Sequence, residues 1–296
     1  MEGPKWLRGQ GMIPRPFSMD VFVDLAFARQ RIVVVGNANS ANEMAAQLAP
    51  VAQLPVYRST RRTSIFPSLP DDRIKDVGPV LRYSRGANKN IHVHLKDRTI
   101  EDVDHVIFGT GYYPEVPYLR VLFQPAAVAS SNSEGATRPP RSLVPLTNQS
   151  SVQPARVPLL YRHILYAHNT SLAFIGALIS FIPFAMADLT STWLARVWSG
   201  QIEIPPTIEQ RLADEQARLH TIHRLRSETD NPSNLVSFHF LARDELSYAK
   251  EVRAEIIQAA PELGNVLAAW DDAQDERRFA MYATKLDSLY ALAKET

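Results

Sequence analysis

A six-residue turn near the start of the chain has the residue types and spacing of a phosphate-binding site. It consists of Gly36, Asn37, Ala38, Asn39, Ser40 and Ala41. A turn of small residues that leads into a helix presents backbone N–H groups, and these groups together with the helix N-terminus attract a pyrophosphate. Because a side chain at Gly36 would fill the space of the phosphate, we expect Gly36→Val to abolish binding and to leave the fold largely intact.

This turn matches the usual dinucleotide fingerprint, G-x-G-x-x-G/A, only in part. Gly36 stands where the chain must turn sharply. Ala38 replaces the glycine that lets the backbone approach the pyrophosphate most closely, and Ala41 is small enough for helix–strand packing. Taken alone, the six residues favour a phosphate site and an ordinary β–α turn without a ligand equally.

A basic cluster follows the next predicted strand, about twenty residues beyond Gly36, where the adenosine ribose of a dinucleotide lies. The cluster consists of Arg58, Ser59, Arg61 and Arg62, with no carboxylate among them. NAD-specific sites place Asp or Glu there, whereas guanidinium groups suit a ribose 2′-phosphate. A solvated basic loop is the alternative. Together with the turn upstream, the cluster favours an NADP(H) site, with Arg58 closest to the phosphate.

A third candidate segment lies at the end of a further predicted strand. The apolar run in 104–109 is followed by Thr110, Gly111 and Tyr112. Glycine at the carboxyl end of a strand lets the backbone approach a ligand closely, and open α/β sheets bind their ligands at that edge. The alternative is a simple turn at the end of the strand.

Hydrophobic periodicity predicts the elements that position these residues. The β-branched run Ile32 to Val35 is typical of a strand buried on both faces in a parallel sheet. His92 and His94 share one face of a later strand, which favours a solvated polar face over a metal site. Residues 20–29 fit either a short helix or an extended lead-in. The predicted elements of this half are strands at 32–35, 51–57, 91–95 and 104–112 and a helix at 42–48.

The residue pattern in the second half of the chain predicts a loop, a hairpin and several helices. Residues 121–158 are rich in Ser, Pro, Ala and Asn and are expected to form a disordered surface loop. His163 flanks the hairpin and is a catalytic candidate or, more simply, a structural histidine. The predicted elements are a hairpin in 160–175 with its turn at 167–170, and helices at 182–198, 208–226, 238–250 and 251–294 with a break at Pro261. We expect Asp188, Trp193 and Trp198 to be buried, Gly200 to end the first helix and Thr207 to cap the second.

Length and composition limit the folds, partners and locations that the chain can have. The 296 residues suffice for one large or two ordinary domains, and a net charge of +1 argues against a dedicated nucleic-acid binder. The absence of cysteine excludes disulfides, thiolate metal sites and cysteine catalysis. No apolar run has the length of a membrane span, and the N-terminus lacks the core of a signal peptide. We therefore expect a cytoplasmic protein without a bound metal.

The sequence resembles the flavin-containing monooxygenases, particularly their fungal members. That family has a nicotinamide-binding G-x-G-x-S-G turn and, further along, an F-A-T-G-Y segment. Residues 108–112 match the second segment with glycine in place of alanine, and Gly36, Ser40 and Ala41 match the first in part. Residues 160–164, LYRHI, and 172–176, LAFIG, resemble the family's L-Y-x-H-[IV] and L-[AS]-F-[IV]-G segments.

This resemblance implies an α/β fold in which a Rossmann-like NADP-binding domain precedes the C-terminal part of an FAD-binding domain and a helical C-terminal region. The implied boundaries are an irregular lead-in at 1–29, the NADP-binding domain at 30–115, the remainder of the FAD-binding domain at 116–206 and the helical region at 207–296. The family's own flavin-binding G-x-G-x-x-G and its F-x-G-x-x-x-H stretch have no counterpart here. We therefore expect a C-terminal portion of such an enzyme that binds FAD poorly.

The implied activity is that of an FAD- and NADP(H)-dependent monooxygenase of the N,N-dimethylaniline monooxygenase type. Such an enzyme oxygenates a soft nitrogen or sulfur centre of a small-molecule substrate through a flavin hydroperoxide. The resemblance identifies no catalytic side chain in this chain and leaves its oligomeric state open. The alternative hypothesis is a non-catalytic remnant that acts as a nucleotide-binding or interaction module.

Overall fold

The computed structural model describes residues 27–62, 71–86, 89–111, 113–123, 142–147, 153–229 and 236–273, together with 276, 277, 280, 284 and 287. The chain divides into two units, one of residues 1–111 with 279–296 and one of residues 112–278. The predicted lead-in lies mostly outside the described residues, and so does the choice between a helix and an extended segment at 20–29.

A four-stranded parallel sheet organises the first unit, in the order β3-β2-β1-β7. This sheet confirms the predicted α/β class, while the Rossmann-like order of the domains stays a prediction. A second sheet, β4-β5-β6, is antiparallel. The elements are β1 (Arg31–Val35), α1 (Asn39–Leu48), β2 (Gln53–Ser59), β3 (Ile74–Val77), β4 (Arg82–Arg85), β5 (Ile91–His94), β6 (Thr99–Val103) and β7 (His105–Phe108).

Helix α1 and the antiparallel sheet pack on opposite faces of β1. Ile32 and Val34 point to the helix, where Ala41 and Ala45 are small enough to bring its backbone close. Val33 points the other way, into the core that the antiparallel sheet contributes. Since β1 is buried on both faces, its continuous apolar run follows directly from its central place in the sheet.

Two details of this unit bear on the predictions. Strand β7 is only half-buried and Phe108 is 45% exposed, although an apolar run such as 104–109 is typical of a buried strand. His94 hydrogen-bonds to Ser84 Oγ over 2.7 Å and to Thr99 Oγ1 over 2.9 Å. In the part of the chain that the structure describes, no group of His, Asp and Glu side chains is arranged to hold a metal ion.

The described residues of the second unit form two antiparallel strand pairs and three α-helices. Strands β8 and β9 pair within and beside the segment 121–158 that we predicted to be a loop, most of which lies outside the described residues. The elements are β8 (Arg120–Phe123), β9 (Ser142–Pro145), β10 (Leu160–Tyr161), β11 (Leu165–Tyr166), α2 (Pro183–Trp198), α3 (Ile208–Ser227) and α4 (Glu245–Ala259), with 3-10 helices at Ala242–Asp244 and Pro261–Asn265.

Helices α2 and α3 begin and end within one residue of the bounds that the sequence predicted. Gly200 has a φ of +75° and follows the last turn of α2. Thr207 Oγ1 accepts a hydrogen bond from the backbone N–H of Gln210, whose side chain accepts one from the N–H of Thr207, which completes a capping box. Among the described helices, none combines the length and apolar character that crossing a lipid bilayer requires.

The core of the second unit departs from the predictions at three places. Trp193 is fully buried, as predicted, but Trp198 is 55% exposed and Asp188 lies on the exposed face of α2. Residues 238–241 are not helical, because Phe240 forms a bridge with Ile179 and α4 starts only at Glu245. In the described part of 251–294, α4 ends at Ala259, which confirms the predicted break at Pro261. The C-terminal helical region as a whole stays a prediction.

Candidate functional site

The candidate nucleotide site is built where β1, β7 and α1 approach one another most closely. Gly36 follows β1 with a φ of +142°, and its N–H donates to the carbonyl oxygen of Ser59 over 3.1 Å. The N–H of Gly109, just after β7, donates to the carbonyl oxygen of Val35 over 2.8 Å. The turn is therefore held by two backbone hydrogen bonds from the neighbouring strand ends.

Both glycines are required by this packing. A Cβ on Gly36 would lie 2.3 Å from the carbonyl oxygen of Gly109, and a Cβ on Gly109 would lie 2.7 to 2.8 Å from Cβ, Cα and N of Ala41. Such distances are far below van der Waals contact, so the expectation that Gly36→Val leaves the fold intact is wrong. Gly109 was identified from the sequence as one of a glycine pair at the end of a strand, but its close packing against Ala41 was not predicted.

Helix α1 presents its N-terminus at this turn without a cap from a side chain. Its N-cap residue, Ala38, has an extended backbone and no side-chain oxygen, and the first turn contains no acidic residue. Ala38 and Ser40 are exposed. Since the first N–H groups of a helix have no partner within the helix and carry partial positive charge, this end of α1 suits an anion.

Asn37 connects this turn to the basic cluster. Its Nδ2 donates a hydrogen bond to the carbonyl oxygen of Arg62, which places the backbone of residues 61–62 beside the turn. Arg61 is exposed and Arg62 is partly buried. Burial and the adjacent positive charge of Arg61 lower the pKa of Arg62. An anion bound here would relieve the repulsion between the two guanidinium groups.

Arg58 and Ser59 lie in the same cluster but face the interior of the unit. The Arg58 side chain is 7% exposed, and its guanidinium forms a bidentate ion pair with Asp76, over 2.7 Å from Nε and 2.8 Å from Nη2. Its Nη1 donates to Oδ1 of the buried Asn42 over 2.9 Å. Ser59 Oγ donates to the carbonyl oxygen of Gly78 over 3.0 Å. Of the four residues of the basic cluster, only Arg61 and Arg62 are exposed or partly exposed. The backbone of Arg62 lies beside the turn.

Thr110 and Gly111 are exposed beyond the end of β7, on the same strand-end edge as the turn, and Gly111 has a φ of +82°. Tyr112 lies outside the described residues. Asn42 and Asp76, which orient Arg58, were not predicted from the sequence as part of the site. The amide of Asn42 in the first turn of a helix was the available signal, whereas Asp76 becomes meaningful only once β3 is paired with β2.

Comparison with known proteins places these features in a family context. No family model matches the chain. It is 30% identical over 190 residues to the thiol-specific monooxygenase of Saccharomyces cerevisiae, a match that covers 64% of this chain and 39% of that protein. It is 27% identical over 199 residues to the flavin-containing monooxygenase FMO GS-OX-like 3 of Arabidopsis thaliana, covering 65% of this chain and 35% of that protein.

Among solved structures, S-allyl-L-cysteine S-oxygenase from Allium sativum is similar, with a TM-score of 0.54 and 19% sequence identity over 88% of this chain and 55% of that one. At this identity the likeness shows a shared fold. The chain spans less than two fifths of the length of the two curated relatives. The resemblance to flavin-containing monooxygenases that the sequence motifs indicated is confirmed.

Proposed function

We propose that this chain provides the NADP(H)-binding part of a flavin-dependent monooxygenase that oxygenates a soft nitrogen or sulfur centre of a small molecule. The observation that carries the proposal is the uncapped N-terminus of α1, held against two glycines and flanked by Arg61 and Arg62. The names of the relatives, a thiol-specific and a flavin-containing monooxygenase, support the reaction class.

The residues of the turn fit a dinucleotide phosphate. Gly36 and Gly109 let three backbone segments meet at the N-terminus of α1, on the strand-end edge where open α/β sheets bind their ligands. The described end of β2, at Arg58 and Ser59, offers no carboxylate for a ribose 2′-hydroxyl. When bound, NADPH supplies the hydride for the reaction. The chain's own residues bind and orient it, with Gly36 to Ala41 on the pyrophosphate and residues 30–115 as the binding domain.

The basic cluster has two roles in this proposal. Arg61 and Arg62 bind the 2′-phosphate, because the backbone of Arg62 lies beside the turn and, unlike Arg58, Arg61 is exposed and Arg62 is only partly buried. Arg58 holds the first turn of α1 in position, since its guanidinium joins β3 to that turn through Asp76 and Asn42. The exposed Thr110 and Gly111 border the nicotinamide end of the site in this proposal.

The described residues support FAD binding less than they support NADP(H) binding. Among the residues that the structure describes, the unit of strand, glycine turn and helix occurs once, at residues 31–48. These residues therefore provide one phosphate cradle, which the proposal assigns to NADP(H). We expect the 296-residue protein to bind FAD weakly, as a titration followed by flavin fluorescence will show. A purified protein with one tightly bound FAD per chain would contradict this part of the proposal.

We expect the double variant Arg61→Ala/Arg62→Ala to lower the affinity for NADPH by roughly 10- to 100-fold, the contribution of one or two charge-assisted hydrogen bonds. The affinity for NADH should stay unchanged, because NADH lacks the 2′-phosphate. Isothermal titration calorimetry measures both constants. Added salt should narrow the difference between the two cofactors.

The matched control is Arg82→Ala/Arg98→Ala, which removes the same charge from exposed positions of the antiparallel sheet. This control should bind both cofactors like the unmodified protein. If the control lost as much NADPH affinity as Arg61→Ala/Arg62→Ala, the net charge of the unit, rather than a phosphate site at residues 61–62, would set the preference for NADPH over NADH.

A further inference from the structure

A strained turn in the second unit places a buried histidine. Strands β10 and β11 are joined by a turn in which the N–H of Ile164 donates to the carbonyl oxygen of Tyr161 over 3.0 Å. Its two central residues, Arg162 and His163, have φ values of +52° and +60°. Turns of this kind normally carry Asn and Gly at these positions, since side chains are strained in the left-handed region. Contacts outside the turn must therefore hold it.

Helices α2 and α4 provide those contacts. Tyr248 Oη donates to the carbonyl oxygen of Arg162 over 2.7 Å, and Nη2 of Arg162 donates to Oε1 of Glu255. The other carboxylate oxygen of Glu255 accepts a hydrogen bond from Nε1 of the buried Trp193 over 2.7 Å. Backbone strain that the surrounding structure over-determines in this way often accompanies a functional position. Here it fixes the position of the His163 ring.

A chain of hydrogen bonds also fixes which ring nitrogen of His163 carries the proton. The N–H of Val157 donates to Nε2 of His239 over 3.0 Å, so the proton of neutral His239 is on Nδ1. That Nδ1 lies 3.1 Å from Nδ1 of His163, which must accept. The proton of neutral His163 is therefore on Nε2. Burial lowers the pKa of His239 to about 4 and that of His163 well below its usual value, so both rings are neutral at pH 7.

His163 lines a cavity of about 80 Å³ at the start of α2. By this measure a water molecule needs roughly 10–15 Å³, so the cavity holds several non-hydrogen atoms. Most of its wall is apolar, with Phe174, Leu178 and Met186, and its described lining contains no Asp, Glu, Lys or Arg.

Two side chains of this wall carry a hydroxyl or a ring N–H group, Thr190 and His163. The hydroxyl of Thr190 donates to the carbonyl oxygen of Met186 over 2.8 Å. Among the described residues, Nε2 of His163 has no hydrogen-bond partner, since its other nitrogen is the one that contacts His239. The cavity is thus a mostly apolar space whose described lining includes one side-chain N–H donor, on a ring of defined tautomer.

We propose that this cavity binds a small neutral molecule, or the end of a larger one, that has an apolar body and one strong acceptor oxygen, as in a sulfoxide, amide or ketone. The Nε2–H of His163 donates to that oxygen, and His239 keeps the donor on this nitrogen. A charged ligand does not fit, because the described wall offers no opposite charge. The proposal uses residues of the second unit alone and holds whether or not the first unit binds NADP(H).

Dimethyl sulfoxide and dimethyl sulfide are matched probes, because they differ by the acceptor oxygen. In the unmodified protein labelled with ¹⁵N at histidine, we expect dimethyl sulfoxide to shift the Nε2 resonance of His163 in a saturable manner and dimethyl sulfide to leave it in place. Equal shifts with both probes, or no shift with either, would overturn the proposal. No cofactor is present in this experiment, so its outcome is separate from that of the NADPH titrations.

The variant His163→Asn tests the donor directly, since Asn tolerates a left-handed backbone better than other side chains but is too short to reach the same oxygen. Dimethyl sulfoxide should bind this variant roughly 2- to 13-fold more weakly, the contribution of one neutral hydrogen bond. The control is His168→Asn, at an exposed position of the following turn, which should bind like the unmodified protein. Unchanged affinity in His163→Asn would refute the role of His163.

Discussion

Gly36→Ala is expected to abolish NADPH binding and to destabilise the first unit, because its new Cβ has no room. That atom would lie 2.3 Å from the carbonyl oxygen of Gly109, and the φ of +142° strains any side chain. Overpacking of this kind costs about 1–3 kcal/mol and an unfavourable backbone conformation about 1–3 kcal/mol more. We therefore expect a loss of roughly 2–6 kcal/mol in the free energy of unfolding, measured by urea denaturation.

Two further glycine variants make this result interpretable. Gly109→Ala should be destabilised similarly, because its Cβ would lie within 2.8 Å of the backbone of Ala41. Gly78→Ala is the control, since a Cβ there meets nothing within 4 Å, and it should keep both stability and NADPH affinity. A Gly36→Ala protein with the stability and affinity of the unmodified protein would show that β1, β7 and α1 do not meet as described.

Arg58→Met is expected to weaken NADPH and NADH binding by the same factor and to lower the free energy of unfolding by about 1.5–3 kcal/mol, the range for hydrogen bonds to a charged group. The guanidinium is buried and joins β3 to α1, whereas Asp76 is 54% exposed and can be hydrated when its partner is lost. The first turn of α1 should then be less well held, which affects the pyrophosphate that both cofactors share.

This variant separates the orienting role of Arg58 from direct phosphate recognition. Calorimetric titrations of Arg58→Met with both cofactors should be compared with those of Arg61→Ala/Arg62→Ala, which we expect to lose NADPH affinity alone. A selective loss of NADPH affinity in Arg58→Met would instead place Arg58 on the 2′-phosphate, as its position in the sequence first indicated.

The parts of the fold that the sequence predicted correctly depend on local patterns. The apolar run of β1, the small residues of α1 and the N-cap at Thr207 are complete within a few residues, so they could be identified without tertiary structure. The helical periodicity of α2 was also clear, but periodicity does not decide which face an amphipathic residue takes. Trp198 is accordingly exposed, although the sequence placed it in the core.

The contacts that define the site could not be predicted because they join residues distant in the chain. Arg58 was identified as important by type and position, but its partner Asp76 lies on β3, 18 residues later, and pairs with it only through strand register. His163 and His239 are 76 residues apart, and neither residue's surroundings in the sequence indicate the other. Residue types thus predicted the chemistry of the turn, while the division of roles among the arginines required the structure.

The most direct test of the central proposal is a calorimetric titration of the unmodified 296-residue protein with NADPH and, separately, with NADH. We expect one NADPH per chain, bound about 10- to 100-fold more tightly than NADH, because Arg61 and Arg62 contact the 2′-phosphate in addition to the shared pyrophosphate site. Equal affinity for the two cofactors would contradict the assignment of the basic cluster. Absence of binding for both would contradict the proposal that the turn at Gly36 is a nucleotide site.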